Sequence, residues 1–184
     1  STFLQSVGIR TCYHAEKLYE QTVIKDIVSM LHILAETKKS DHAFLRLLMR
    51  ESSTAAVAAF TKSYLLDKNQ ISLIKYATQS TNKIKIVAEA ILDPIKSVKG
   101  RDVSELVWGI IKLAKFYRHT GKNESLKQKM IWKSIKQFRQ IVHTYCQNYD
   151  ADNLKTFIDF IDVQIEVNDE PLEPLYELSE FSSV

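Results

Sequence analysis

Two short pairs hold the residue types that most often carry chemistry: Cys12-x-His14 and His143-x-x-Cys146. Together they make a Cys2His2 ligand set, and a thiol beside an imidazole is the start of a nucleophile. Neither spacing is that of a zinc finger. His143 and Cys146 fall one turn apart in mid-helix, with no oxyanion-hole signal nearby. The pair therefore reads as half-buried and inert, and no metal or cofactor is expected. Glycine occurs only at 8, 100, 109 and 121, so the chain has neither GxxxxGK[ST] nor GxGxxG, and no loop able to close on a phosphate. Serines gather at helix starts, where capping explains them. Asp159 and Asp162 share a helix face and read as solvated charges. These absences exclude the familiar catalytic kits, and the expectation is a protein that is not an enzyme.

Charge is distributed more tellingly. Residues 150–184 hold ten acidic side chains against Lys155 alone, a net −9 in a chain of +3, so residues 1–149 carry +12. Much of that excess lies in one stretch: Lys112, Lys115, Arg118, Lys122, Lys127, Lys129, Lys133, Lys136 and Arg139, opposed only by Glu124. Such a face is a solvated surface, a site for an acidic protein segment, or a track for nucleic-acid phosphates. Lysine supplies charge rather than bidentate readout of bases, so sequence-specific recognition is not expected.

The elements that would position these groups are helices. The chain has 184 residues, 45% hydrophobic and 26% charged, with 4 glycines and 3 prolines, which favours long helices and short polar loops. Apolar residues recur three and four apart over about 15–38, 43–50, 55–66, 69–79, 82–98, 102–120, 124–147 and 152–167. Asp93-Pro94 marks a kink or a stop with restart, Gly100 a helix C-cap, and Asp102-x-x-Glu105 a capping box. Asn69 and one of Asp150 or Asp152 are the expected caps of their helices. The predicted core comprises Leu31, Leu34, Leu48, Phe60, Ile74, Ile91, Leu106, Ile110, Leu113, Ile135, Phe138 and Ile161. Trp108 is expected to be mostly buried, and Trp132 a partly exposed anchor.

The fold expected is all-α: antiparallel helical hairpins in a solenoid-like arrangement or an irregular bundle of seven to eight helices. Leu113-Ala114-x-x-Tyr117-x-x-x-Gly121 resembles the end of the first helix and the turn of a tetratricopeptide repeat over nine residues. The next helix departs from that pattern, with Leu126 and Lys133 where small residues would pack. The resemblance implies helical-hairpin architecture rather than membership of that family.

Residues 1–168 form the expected helical domain and 169–184 an extended acidic tail, in which Pro171 and Pro174 discourage helix. Leu172, Leu175, Tyr176 and Phe181 alternate with acids there and, with Trp132, are the candidate docking anchors. No secretory signal or membrane-spanning run is visible. Cys12 and Cys146 read as reduced thiols, so an intracellular setting, cytoplasmic or nuclear, is expected. The chain begins at Ser1 rather than Met and reads as a fragment of a larger multi-subunit assembly. Its expected function is a non-enzymatic protein–protein interaction scaffold whose partners are other protein subunits. The alternative is a subunit that contacts nucleic acid weakly and non-specifically through residues 112–139.

Overall fold

A computed structural model describes residues 17–67, 71–80, 83–113, 126–149 and 152–167. Of these, 83% are helical and there are no strands, as the all-α reading requires. Among the described residues a single 3-10 turn, Leu18–Glu20, precedes eight α-helices. They are α1 (Thr22–Leu34), α2 (Ser40–Glu51), α3 (Thr54–Leu66), α4 (Leu73–Gln79), α5 (Lys83–Ser97), α6 (Val103–Leu113), α7 (Leu126–Asn148) and α8 (Leu154–Glu166).

Helix α1 is the hub. Val23, Ile24, Ile27, Val28, Leu31 and Ile33 are all buried, and with Asp26, Ser29 and His32 they cover almost every side of the helix. A helix apolar on all faces must be surrounded. Accordingly α1 touches α2, α5, α6, α7 and α8, which is the packing of a bundle rather than of an open stack in which helices meet only their neighbours. Around α1 gather Phe44 and Leu48 from α2, Leu92 and Ile95 from α5, Ile110 and Ile111 from α6, and Ile135 and Phe138 from α7. Phe157 of α8 meets Phe138 and Tyr145 of α7 edge-on, at ring-centroid separations of 6.4 and 5.0 Å.

Local chemistry sets the boundaries. The first helix is shorter than its periodicity predicts, because Glu36 adopts φ 50° and closes it. The Thr37 amide then donates to His32 O and the Glu36 amide to Ile33 O, a Schellman ending with glutamate in the place glycine usually takes. Ser53 caps α3 through the Ala56 amide. Ser72, not Asn69, caps α4, and Asp41 of α2 accepts from the Leu73 and Ile74 amides at 2.9 and 3.1 Å. Asn153, not Asp150 or Asp152, caps α8. Asp102 accepts from the Glu105 amide, and Glu105 reaches back to the Arg101 amide, so the predicted capping box forms one residue wide of the usual pattern.

Three expectations need correction. Of the two readings of Asp93-Pro94, the stop with restart is excluded, because α5 runs on through Pro94; the burial of Leu92 and Ile95 on either side offsets a cost of about 3 kcal/mol. Gly100 is not a left-handed C-cap. A Cβ there would lie 2.8 Å from the Leu106 nitrogen, so glycine serves the close approach of the loop to the first turn of α6. Leu34, Ile74, Ile91, Leu106 and Leu113 are half-buried rather than central. On α6 the buried sector is centred on Val103, Val107 and Ile110, which leaves Leu106 and Leu113 at its edge. The nine residues that resemble a tetratricopeptide repeat lie, apart from Leu113, outside the described residues.

Candidate docking surfaces

The basic stretch becomes one face of a helix. Helix α7 is 23 residues long and contains no aspartate or glutamate. Its buried residues Ile135, Phe138, Val142 and Tyr145 mark the core side. Lys129, Lys133, Lys136 and Arg139 follow at spacings of four, three and three, on the side away from the core. Lys129, Lys136 and Arg139 are exposed, and Lys133 is half-buried.

Trp108 of α6 fixes part of this charge in place. The guanidinium carbon of Arg139 stands 4.3 Å from its ring centroid and Lys112 Nζ stands 5.3 Å away. Each cation over an indole is worth about 0.5–1 kcal/mol at an exposed site. Their larger effect is to hold two flexible side chains at the α6–α7 seam. There Ser104, Glu105, Trp108, Lys136, Arg139, Gln140 and His143 line a groove of about 390 Å³. Trp108, expected to be mostly buried, is half-buried: it packs against the edge of the core and carries the two cations on its ring.

Of the nine basic residues read from sequence, the structure brings Lys112, Lys129, Lys133, Lys136 and Arg139 to this seam and stripe. Lys115, Arg118 and Lys122 lie outside the described residues, and nothing is described of the Lys127 side chain. Trp132 is half-buried and packs against the core. The other anchors, Leu172, Leu175, Tyr176 and Phe181, lie outside the described residues with the whole acidic tail.

His143 Nε2 sits 3.0 Å from Gln147 Nε2. Burial raises the Cys146 thiol pKa, and Asp102 adds to the effect, so the thiolate is disfavoured. Cys12 and His14 lie outside the described residues, among which no cluster of His, Cys, Asp and Glu could hold a metal ion.

Sequence reasoning missed two polar contacts. Asp26, 1% exposed on α1, is held by Arg46 and Arg50 of α2, with Arg46 Nη2 at 3.1 Å. The visible signal was an acid inside a run of Val, Ile and Leu. Asp162, read as solvated, is in fact clamped between His32 and Lys39, with Lys39 Nζ at 2.9 Å. Asp159 is exposed, as expected.

A second surface is apolar. At the end of α2 and the C-terminal end of α3, Met49, Leu65 and Leu66 are 58%, 74% and 73% exposed. With Thr54, Val57, Ala58, Thr61 and Lys62 they line a groove of about 590 Å³. No helix among the described residues is long and apolar enough to cross a membrane. No protein-family model, curated protein or solved structure matches this chain.

Proposed function

We propose that this chain is a non-enzymatic interaction module that docks an acidic segment of another protein subunit on the α6–α7 face. One observation carries the reading: a basic stripe on a helix without a single acid, with Arg139 and Lys112 gathered around Trp108. Pre-placed charge steers association and fixes register, while each exposed pair adds only tenths of a kcal/mol. The groove beside Trp108 supplies apolar contact for side chains that alternate with the acids.

One feature favours peptide over nucleic acid. Trp108 is engaged by cations, so it offers no open platform for a base to stack on.

A fluorescent twelve-residue peptide alternating glutamate with leucine and tyrosine tests the reading by anisotropy at about 0.15 M salt. Binding is expected, and the triple variant Lys133→Glu, Lys136→Glu, Arg139→Glu should abolish it with helix content unchanged. An oligonucleotide that binds more tightly than the peptide, with a steep fall on added salt, would transfer the face to nucleic acid.

A further inference from the structure

The apolar groove of α3 lies apart from the basic face and stands on independent observations. Helix α3 reads Thr-Ala-Ala-Val-Ala-Ala-Phe-Thr-Lys-Ser-Tyr-Leu-Leu. Only Val57 and Phe60 are buried, so the helix rests on the bundle along a narrow seam. Its uncovered side follows Ala55, Ala58 and Ala59, Lys62, then Leu65 and Leu66, the three-and-four spacing of a helix that packs against another helix. Apolar side chains grouped along one groove give a second helix a surface to pack on.

The sequence of α3 also says what fits it. Small side chains occupy the N-terminal half of the uncovered face and large ones the C-terminal half. A second α3 running antiparallel inverts that order. Each copy's Leu65 then falls over the other's Ala55 and its Leu66 over the other's Thr54, large against small. Charge agrees with this direction. Lys62 is the one ionisable side chain of α3 apart from Tyr64. In a parallel pair the two Lys62 ammonium groups would face each other. In an antiparallel pair each lies against Ala58 of the other copy, where its methylene stem covers apolar surface and its head reaches water. An antiparallel pair about a two-fold axis is closed, so it ends at two copies.

We infer that α3 is a self-association surface: two copies of this chain pair through antiparallel α3 helices, with the Met49–Leu66 groove of each seating Leu65 and Leu66 of the other. Sedimentation of the full chain across about 1–200 µM tests this, and a concentration-dependent dimer is expected. Ala58→Glu should shift it to monomer with the circular dichroism spectrum unchanged, while Lys129→Glu on the basic face should leave the dimer intact. Direction is read by mixing two variants in a background with Cys12 and Cys146 replaced by serine. Chains bearing Ala55→Cys should cross-link to chains bearing Leu65→Cys in preference to themselves. A chain that stays monomeric at every concentration overturns the inference. So does a dimer that Ala58→Glu leaves intact, or one whose Leu65→Cys chains link chiefly to each other. A foreign apolar helix that binds the groove of a strictly monomeric chain would assign the surface to another protein.

Discussion

His32 Nε2 lies 3.4 Å from Asp162 Oδ1, across the seam where the hub helix α1 meets the last helix α8. The other ring nitrogen meets Thr37 Oγ1 at 2.8 Å, and Lys39 Nζ shares the Asp162 carboxylate. Burial lowers the His32 pKa from its ordinary 6.5, and Lys39 lowers it further; Asp162 and Asp159 raise it without restoring it. The imidazole is thus held neutral in the fold while the unfolded chain protonates it more readily.

The sign of the pH dependence follows. In the interval below about pH 6.5 the unfolded state binds more protons than the folded state, so stability present above that pH is lost as the pH falls. Urea midpoints should drop between pH 7.5 and 5.5, and His32→Gln should flatten part of that slope. A wild-type slope no steeper than that of His32→Gln would mean that the attraction of Asp162 outweighs burial.

Asp26 should show strong non-additivity. Its carboxylate is 1% exposed and faces two guanidinium groups, Arg46 and Arg50, both partly in water. Removing either arginine leaves the other to compensate. Removing both strands a buried carboxylate, which costs on the order of 3–5 kcal/mol. Chemical denaturation of Arg46→Ala, Arg50→Ala and the double variant should show a double-mutant cost well above the sum of the singles. Simple additivity would show that the carboxylate is already solvated.

How much of this was legible in the sequence depends on the kind of interaction. The period of three and four along Leu31, Phe44, Ile110, Phe138 and Ile161 revealed the helices and their inward faces, because burial writes itself into local spacing. The Asp102-x-x-Glu105 box was legible for the same reason. The partners of Asp26 are 20 and 24 residues away, and that of His32 is 130 away, so no local pattern names them. Asp41, which caps α4 from α2, could not be told from any solvated helix-start acid. Leu106 and Leu113 were misplaced because periodicity gives an apolar sector but not its centre. The basic stripe was legible as charge, yet its focus at Trp108 was not, since Arg139 reaches it from another helix.

Glu36 carries strain that glycine would relieve. At φ 50° its side chain crowds its own backbone, at a cost of about 1–2 kcal/mol. Glycine has no such cost and keeps both Schellman hydrogen bonds, although it gives the unfolded chain more freedom. Glu36→Gly should raise stability by about 0.5–1 kcal/mol, measured as a higher urea midpoint with an unchanged slope. Glu36→Ala keeps the strain and should bring no such gain. Equal effects from the two would place the gain in the removed charge rather than in the backbone.

Gly109 gives the sharpest test of packing, because two opposing terms decide its sign. Alanine in a helix interior is favoured over glycine by about 1 kcal/mol. A Cβ at this position of α6, however, would lie 2.5 Å from Val98 Cγ1, closer than two carbons can approach. Val98 is half-buried against the core and sits in the tight connection between α5 and α6, so it cannot simply swing into water. Overpacking of this kind costs about 1–3 kcal/mol, which exceeds the propensity gain. Gly109→Ala should therefore destabilise the chain on its own. In a Val98→Ala background the obstructing methyl is gone, and the same substitution should become stabilising by up to about 1 kcal/mol. Thermal or urea unfolding of the four chains completes the cycle. The reversal of sign is the diagnostic result, since a change in helix propensity alone would give the same sign in both backgrounds.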